Sequence, residues 1–371
     1  MRLLERPETD AGPAAEAPAP RAMFGLPRGA MLALLAAGVV TLLVGTVAVG
    51  SVAIPLEDIL RAIWGAPVDP PTHTTIVWQV RLPRALTALL AGSALGVGGL
   101  QMQTLFRNPL ADPFILGTSA GASLGVALLV LAAGGGGAVL GGGLGAAGTV
   151  GIAGAAAVGA GAVTLLVLAV SRRVAGAATV LIIGLMIGYA TQAVVTVLVS
   201  MGLQRMDSVR AYIAWGFGSF SGTSWAELQV LAAATAAGLA LAVGLVKPLD
   251  ALLLGDRYAA SMGLRVQRAR VLVIATAALL AGVVTAFCGP IAFIGVAAPH
   301  VARGLLHGGG HRVLVPASAL VGAAIALAAG LIALLPGSDA SLPLNAVTSL
   351  FGAPVVVGIL LRLRRSGKAV S

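Results

Sequence analysis

The sequence predicts an all-α integral membrane protein of about ten transmembrane helices, and three observations carry that prediction. Of 371 residues, 58% are hydrophobic, 10% charged and 4% aromatic, which leaves too little polar surface to cover a globule of this size in water. The chain also holds 51 Gly, the small-residue content that lets membrane helices approach backbone to backbone, where a water-soluble core would use more aromatics. Finally, apolar stretches of bilayer-spanning length recur along almost the whole chain.

Taken in order, residues 1–28 carry Pro, Ala, Glu and Arg without periodicity and read as a disordered basic cytoplasmic tail. A signal peptide fits less well, because the apolar run from Gly29 is too long. One membrane domain over 29–366 follows, with spans expected at 29–53, 84–104, 114–133, 149–170, 178–200, 226–246, 269–288, 290–306, 313–335 and 343–361, some interrupted by polar residues or Pro. The glycine-dense run Gly134–Gly161 reads as a loose outer loop in its first half and the start of the fourth span in its second. Residues 247–269 form the longest inner loop.

Orientation follows from Lys and Arg. With a cytoplasmic N-terminus, 18 of the 23 basic residues lie on the inner side, and Arg61, Arg81, Arg84, Arg205 and Arg210 on the outer side. That bias puts both termini in the cytoplasm for an even number of spans. It also accounts for the net charge of +10 better than nucleic acid does, since the basic residues are scattered singly between apolar runs with no interleaved aromatics. The single cysteine, Cys288, lies in an apolar segment and reads as a packed small side chain.

Polar groups inside apolar segments must face protein or a watery path. Ser93, Gln101 and Thr104 share a face of the second span, and Tyr189, Gln192 and Thr196 share a face of the fifth. Each stripe reads either as pore lining or as ordinary interhelical hydrogen bonding. Between the second and third spans, Arg107 to Pro113 make a polar break with two prolines, so the chain turns at the inner edge of the membrane. In the inner loop, short helical pieces punctuated by Gly255 and Gly263 carry apolar residues that call for a cover, either a docking partner or lipid headgroups. Arg81 and Arg84, flanking Leu82-Pro83 at the outer mouth, either snorkel to phosphates or hold carboxylates of an external partner.

Several classes are disfavoured. No phosphate-binding glycine loop followed by Lys and Ser or Thr is present, nor a nucleophile-base pair, so intrinsic ATP hydrolysis and hydrolytic chemistry are not expected. His73, His300, His307 and His311 are too dispersed for a metal site by spacing. All 13 carboxylates fall in loops, the tail or span ends, whereas a proton-coupled carrier keeps an acidic residue deep in the membrane.

Six motifs then occur in order: V-W-Q-V-R-L-P-R (Val77–Arg84), R-N-P-L-A-D-P-F-I-L-G-T-S-A-G-A (Arg107–Ala122), W-G-F-G-S-F-S-G-T-S-W (Trp215–Trp225), L-G-D-R-Y-A-A-S-M-G-L (Leu254–Leu264), G-P-I-A-F-I-G-V-A-A-P-H-V-A-R (Gly289–Arg303) and L-P-L-N-A-V-T-S-L-F-G-A-P-V (Leu342–Val355). With them the chain, from Val77 to Arg362, resembles the FecCD-type permeases of ATP-binding-cassette (ABC) importers for iron-siderophore, haem or cobalamin.

The resemblance implies the type II importer permease fold in a plasma (inner) membrane. It implies a homodimer, or a pair with a paralogous permease, bound to two cytoplasmic ABC ATPase subunits and an external substrate-binding protein. ATP and Mg would be bound by the ATPase and no cofactor or metal by this chain. Carried over by position, Leu254, Gly255, Asp256, Arg257, Tyr258, Ala259, Ser261, Met262, Gly263 and Leu264 are expected to couple to the ATPase. Arg81 and Arg84 are expected to receive the binding protein, and Asn108 and Leu110 to narrow the inner end of a pathway that Ser93, Gln101, Tyr189, Gln192 and Thr196 line.

Two departures stand out. The ninth span reads A-A-G-L-I-A-L-L-P without the Asp and Arg that relatives often carry, and Asn345 stands where Gly is usual. A docking contact is then missing, and more of the docking falls to Arg81 and Arg84. The function expected is import by alternating access driven by a separate ATPase, with an iron-siderophore complex as first cargo on family frequency alone and haem second. The rival readings are an ATPase-independent secondary carrier and a membrane receptor or scaffold.

Overall fold

The computed structural model describes residues 25–132, 146–174, 176–202, 206–334 and 342–365. Most of the expected tail, the first half of the glycine run, Arg205 and the Leu335-Pro336 break after the ninth span lie outside the described residues.

Helix α1 (Arg28–Ala48) is followed by a short amphipathic α2 (Leu56–Ile63) and then by one long helix, α3 (Thr72–Phe106). Next come α4 (Thr118–Ala127), α5 (Ala146–Ser171), α6 (Ala177–Met201), α7 (Met206–Gly216) and α8 (Trp225–Gly244). Two short helices, α9 (Val246–Leu253) and α10 (Asp256–Ser261), occupy the expected inner loop, ahead of α11 (Val266–Cys288), α12 (Ile294–Leu306), α13 (His311–Ala333) and α14 (Leu344–Arg365). Among the described residues there is no strand, as a bilayer demands of an open chain whose backbone groups must pair locally.

Seven of these helices, α1, α3, α5, α6, α8, α11 and α13, are long and apolar enough to cross a bilayer. The shorter apolar helices Thr118–Leu131, Ile294–Leu306 and Leu344–Gly358 stand at the other three expected spans.

The second helix differs from expectation at its start. Pro83, expected near the beginning of the span at residue 84, sits well inside α3. The helix passes it because Val77–Arg81 form a π-helical turn, whose wider ring closes with Leu82 N–H donating to Val77 C=O. Such a turn absorbs the hydrogen bond that a proline removes.

Helix α3 is the axle of the bundle: 83% of its membrane-length window is buried, against 22% for α1 and for α6. It packs on α8, α11, α12 and α13. Lipid is as apolar as Leu, so helices here associate through close packing and not through exclusion of water. The sequence supplies that closeness with glycine. A Cβ on Gly99 would sit 1.8 Å from the Gly295 carbonyl oxygen, and one on Gly92 2.2 Å from that of Gly322, so only glycine lets α3 meet α12 and α13. Leu95 and Leu100 of α3, Leu280 of α11, Ile294 of α12 and Leu327 of α13 fill the remaining space in one cluster.

Candidate coupling and gate site

At the end of α3 the backbone of Arg107 turns left-handed (φ 47), and its N–H returns to the carbonyls of Gln103 and Thr104, closing the helix. The following turn is held by two short side chains. Asn108 Oδ1 accepts from Leu110 N–H at 2.9 Å and Asp112 Oδ1 from Phe114 N–H at 2.8 Å, and Pro109 and Pro113 prevent the helix from resuming. Burial pushes the Asp112 carboxyl up to about 6, against the downward pull of the Phe114 N–H.

Against this turn lies the segment from Leu254 to Leu264. Gly255 (φ 109) reverses the chain out of α9 and starts α10. The two faces of α10 differ in kind. Tyr258 of α10 is 56% exposed, Leu254, just before Gly255, is 62% exposed and Met262, just after the helix, 53%, with Arg257 and Ser261 also outward. Ala259 is fully buried, and Asp256 turns back onto the bundle, with its carboxylate 2.9 Å from Arg270 Nη2 and 3.5 Å from Arg107 Nη2. Gly263 is exposed and Leu264 half-buried, where the chain enters α11.

The polar stripes part company. Gln101 is 0% exposed and Ser93 9%, both sealed inside the chain by the helices around α3, so neither lines a path outside it. That corrects the expectation from helical spacing, which identifies a face but not what the face meets. Thr104 also points inward, donating to the Leu100 carbonyl and lying 2.8 Å from His311 Nε2. On α6, by contrast, Tyr189 is 67% exposed and Gln192 and Thr196 are exposed on the same side. Three polar groups on a membrane-length helix thus look off the surface of a single chain.

The arginines at the other end of α3 also part. Arg81 is 3% exposed and closes off α1: Nη1 donates to the carbonyls of Val47 (2.9 Å) and Ala48 (2.8 Å), and Nη2 to that of Val52. A guanidinium committed to three carbonyls is not offered to an external carboxylate, which corrects the expectation for this residue. Arg84 is 8% exposed, but its Nη2 has no hydrogen-bond partner and borders a cavity of about 180 Å³ walled by Phe217, Ser219, Phe220 and Pro343.

Asn345, unusual by resemblance, is a clip. Its side chain accepts from Ala292 N–H (3.0 Å) and donates to Pro290 (2.7 Å) and Gly216 (3.1 Å) carbonyls, tying α14 to the ends of α7 and α11.

Sequence reasoning missed Arg270, Asp250 and His311 as partners. Each is an isolated polar residue near a helix end, and no spacing rule links it to its partner in another part of the chain.

With the geometry in hand, comparison with known proteins gives a consistent result. The chain matches the FecCD transport family over residues 31–362. It is 36% identical over 309 residues to the vitamin B12 import system permease protein BtuC of Escherichia coli O9:H4 (strain HS), covering 81% of this chain and 89% of that protein. To the permease of the same name from Klebsiella pneumoniae it is 37% identical over 291 residues, covering 78% and 84%. Among solved structures, a chain described as a metal-chelate type ABC transporter in an inward-facing conformation superposes with a TM-score of 0.76 at 26% identity, covering 90% of this chain and 99% of that one.

Proposed function

We propose a working cycle for this chain from one premise: it belongs to the FecCD transport family and is the permease subunit of an ABC importer. Two copies, or one copy and a paralogous permease, enclose the pathway between them. The exposed Tyr189, Gln192 and Thr196 of α6 face that pathway, because a polar stripe at this position is costly against lipid and useful beside water. Both termini lie in the cytoplasm of the plasma (inner) membrane, as the basic residues favour.

The single observation that carries the reading is the outward apolar surface that Leu254, Tyr258 and Met262 form around α10, whose Asp256 faces the bundle at Arg270 and Arg107. An ATPase subunit covers that face on each copy. ATP and Mg are bound there, and this chain contributes shape and transmission without bond chemistry. Closure of the ATPase pair moves α10, the turn carrying Asn108 and Leu110 shifts with it, and the two copies reorient around a central cavity. At the opposite end an external binding protein delivers the cargo, with Arg84, whose buried Nη2 has no hydrogen-bond partner and which borders the cavity beside Phe217 and Pro343, as the group that a carboxylate entering that cavity would meet.

The cargo is a metal chelate. Family frequency favours iron-siderophore, whereas the two relatives compared are named for vitamin B12, so cobalamin is the first cargo to test. Co-purification tests the reading: wild type should retain its ATPase through purification, and Leu254→Ala/Tyr258→Ala/Met262→Ala should fold yet lose it. Retention by the triple variant would remove the proposed contact.

A further inference from the structure

The bonding of Asp256 points away from the ATPase and into the bundle. One oxygen faces Arg270 of α11 at 2.9 Å and the other faces Arg107, the left-handed residue that ends α3, at 3.5 Å. The two legs are unlike. The Arg270 side chain is only 3% exposed, and its Nη1 also donates to Gln267 Oε1 (3.1 Å), while Gln267 Nε2 donates to the Ser171 carbonyl at the end of α5. Removing the carboxylate would leave that guanidinium as a buried charge without its ion-pair partner, which makes the leg costly to break. Arg107 is 49% exposed and Asp256 43%, and at 3.5 Å this leg is an open, water-accessible pair of the kind that contributes little to stability. Gly255 is set by its backbone (φ 109), which side chains rarely adopt, and it places the start of α10 beside the Arg107 guanidinium, which a Cβ would meet at ordinary contact distance, 3.6 Å.

We propose that Asp256 is a positioning residue with a fixed leg to Arg270 and a releasable leg to Arg107, and that the Asp256–Arg107 pair is the link through which α10 holds the Arg107–Pro113 turn. The inference rests on the reading of Leu254–Leu264 as the ATPase-facing segment. It assigns Asp256 and Arg107 a role within the permease and not at the ATPase surface. A displacement of α10 is transmitted to the gate turn while the pair is closed, and the turn is free to relax when the pair opens. Because the fixed leg anchors Asp256 to α11, the variable element is the short stretch from Arg107 to Leu110.

The test reads gate movement without needing the cargo. Cys288→Ser removes the single cysteine, and Leu110→Cys places a reporter in the gate turn. The permease–ATPase complex in lipid nanodiscs is labelled with a water-soluble maleimide, with and without ATP plus vanadate. On this background Arg107 should give labelling rates differing by about threefold or more between the two states. Arg107→Gln should bring the ratio close to one with ATP hydrolysis within about twofold of its parent, and Arg107→Lys, which keeps the charge, should restore the ratio. A full ratio in Arg107→Gln overturns the proposal, as does loss of ATP hydrolysis in that variant, which would make Arg107 part of the ATPase contact. Should the parent itself bind no ATPase, the functional reading fails and takes this inference with it, an outcome visible before any Arg107 variant is made.

Discussion

His311 Nδ1 lies 2.6 Å from Asp250 Oδ1, and the same ring reaches Thr104 Oγ1 with Nε2 at 2.8 Å, so one imidazole joins α9, α13 and α3. Asp250 also accepts from the His311 backbone N–H at 3.0 Å, and thereby caps α13. The segment ahead of α10 is in this way fixed to the axle of the bundle. Replacing His311 with Leu removes the imidazole from Asp250 and Thr104, which keep only the residue-311 backbone N–H and the Leu100 carbonyl, and should lower stability by about 1–3 kcal/mol. Asp250→Asn, which keeps an acceptor for the backbone N–H, should lose less than Asp250→Ala. Thermal unfolding read by a dye reacting with the buried Cys288 ranks the three variants.

Arg81 and Arg84 should separate cleanly in experiment. Arg81→Gln strips three carbonyls of a charged donor and should cost about 2–3 kcal/mol of stability. Arg84→Gln removes a group whose Nη2 bonds to nothing, and should leave the thermal midpoint near that of wild type while weakening affinity for the binding protein. Thermal scans and binding titrations on both variants check the pair.

The contact of α3 with α12 makes a sharp packing prediction. Gly99→Ala places a methyl inside the Gly295 carbonyl and should cost about 1–3 kcal/mol, with Gly99→Leu failing to accumulate in the membrane. Gly154→Ala on α5, where a Cβ meets nothing within 4 Å, should be tolerated. Membrane-fraction yield and thermal midpoint distinguish them.

Asp112 gives a pH dependence whose sign is fixed. Its carboxyl is raised from an ordinary 3.8 to about 6, so the folded state favours the protonated form. The stability it contributes is full below about 4 and is lost as pH rises through about 6. Asp112→Asn mimics the protonated group. It should match wild type at pH 4 and exceed it above pH 6, by about 1.4 kcal/mol for each unit that the folded value stands above the unfolded one. Thermal midpoints of both proteins across that range measure it.

Hydropathy exposed the seven long apolar helices because a bilayer imposes length and composition on anything that crosses it. The spans expected at 114–133, 290–306 and 343–361 coincide with the shorter apolar stretches Thr118–Leu131, Ile294–Leu306 and Leu344–Gly358. The start of α3 was hidden by Pro83, since a proline near a helix start is ordinary and the π turn that carries a helix past one has no compositional mark. The loop over 247–269 was legible because it carries apolar residues, A-L-L-L-G-D-R-Y-A-A-S-M-G-L, that a purely solvated loop does not need. What was not legible is direction. Ser93 and Gln101 share the helical spacing that marks Tyr189, Gln192 and Thr196, yet one stripe is buried by neighbouring helices and the other is exposed. The same holds for Arg81, whose three carbonyl partners lie in the chain that leaves α1. Asp256 was legible as part of the Leu254–Leu264 motif, but its two arginines come from the ends of other helices, where only the folded packing brings them together.

The most direct test of the account is uptake by proteoliposomes holding this chain, its ATPase and its binding protein, with cobalamin and a ferric siderophore offered in turn. Accumulation of one chelate that requires ATP on the ATPase side and both partner proteins is the result the account predicts. Accumulation by this chain alone, driven by an ion gradient and indifferent to ATP, would contradict it.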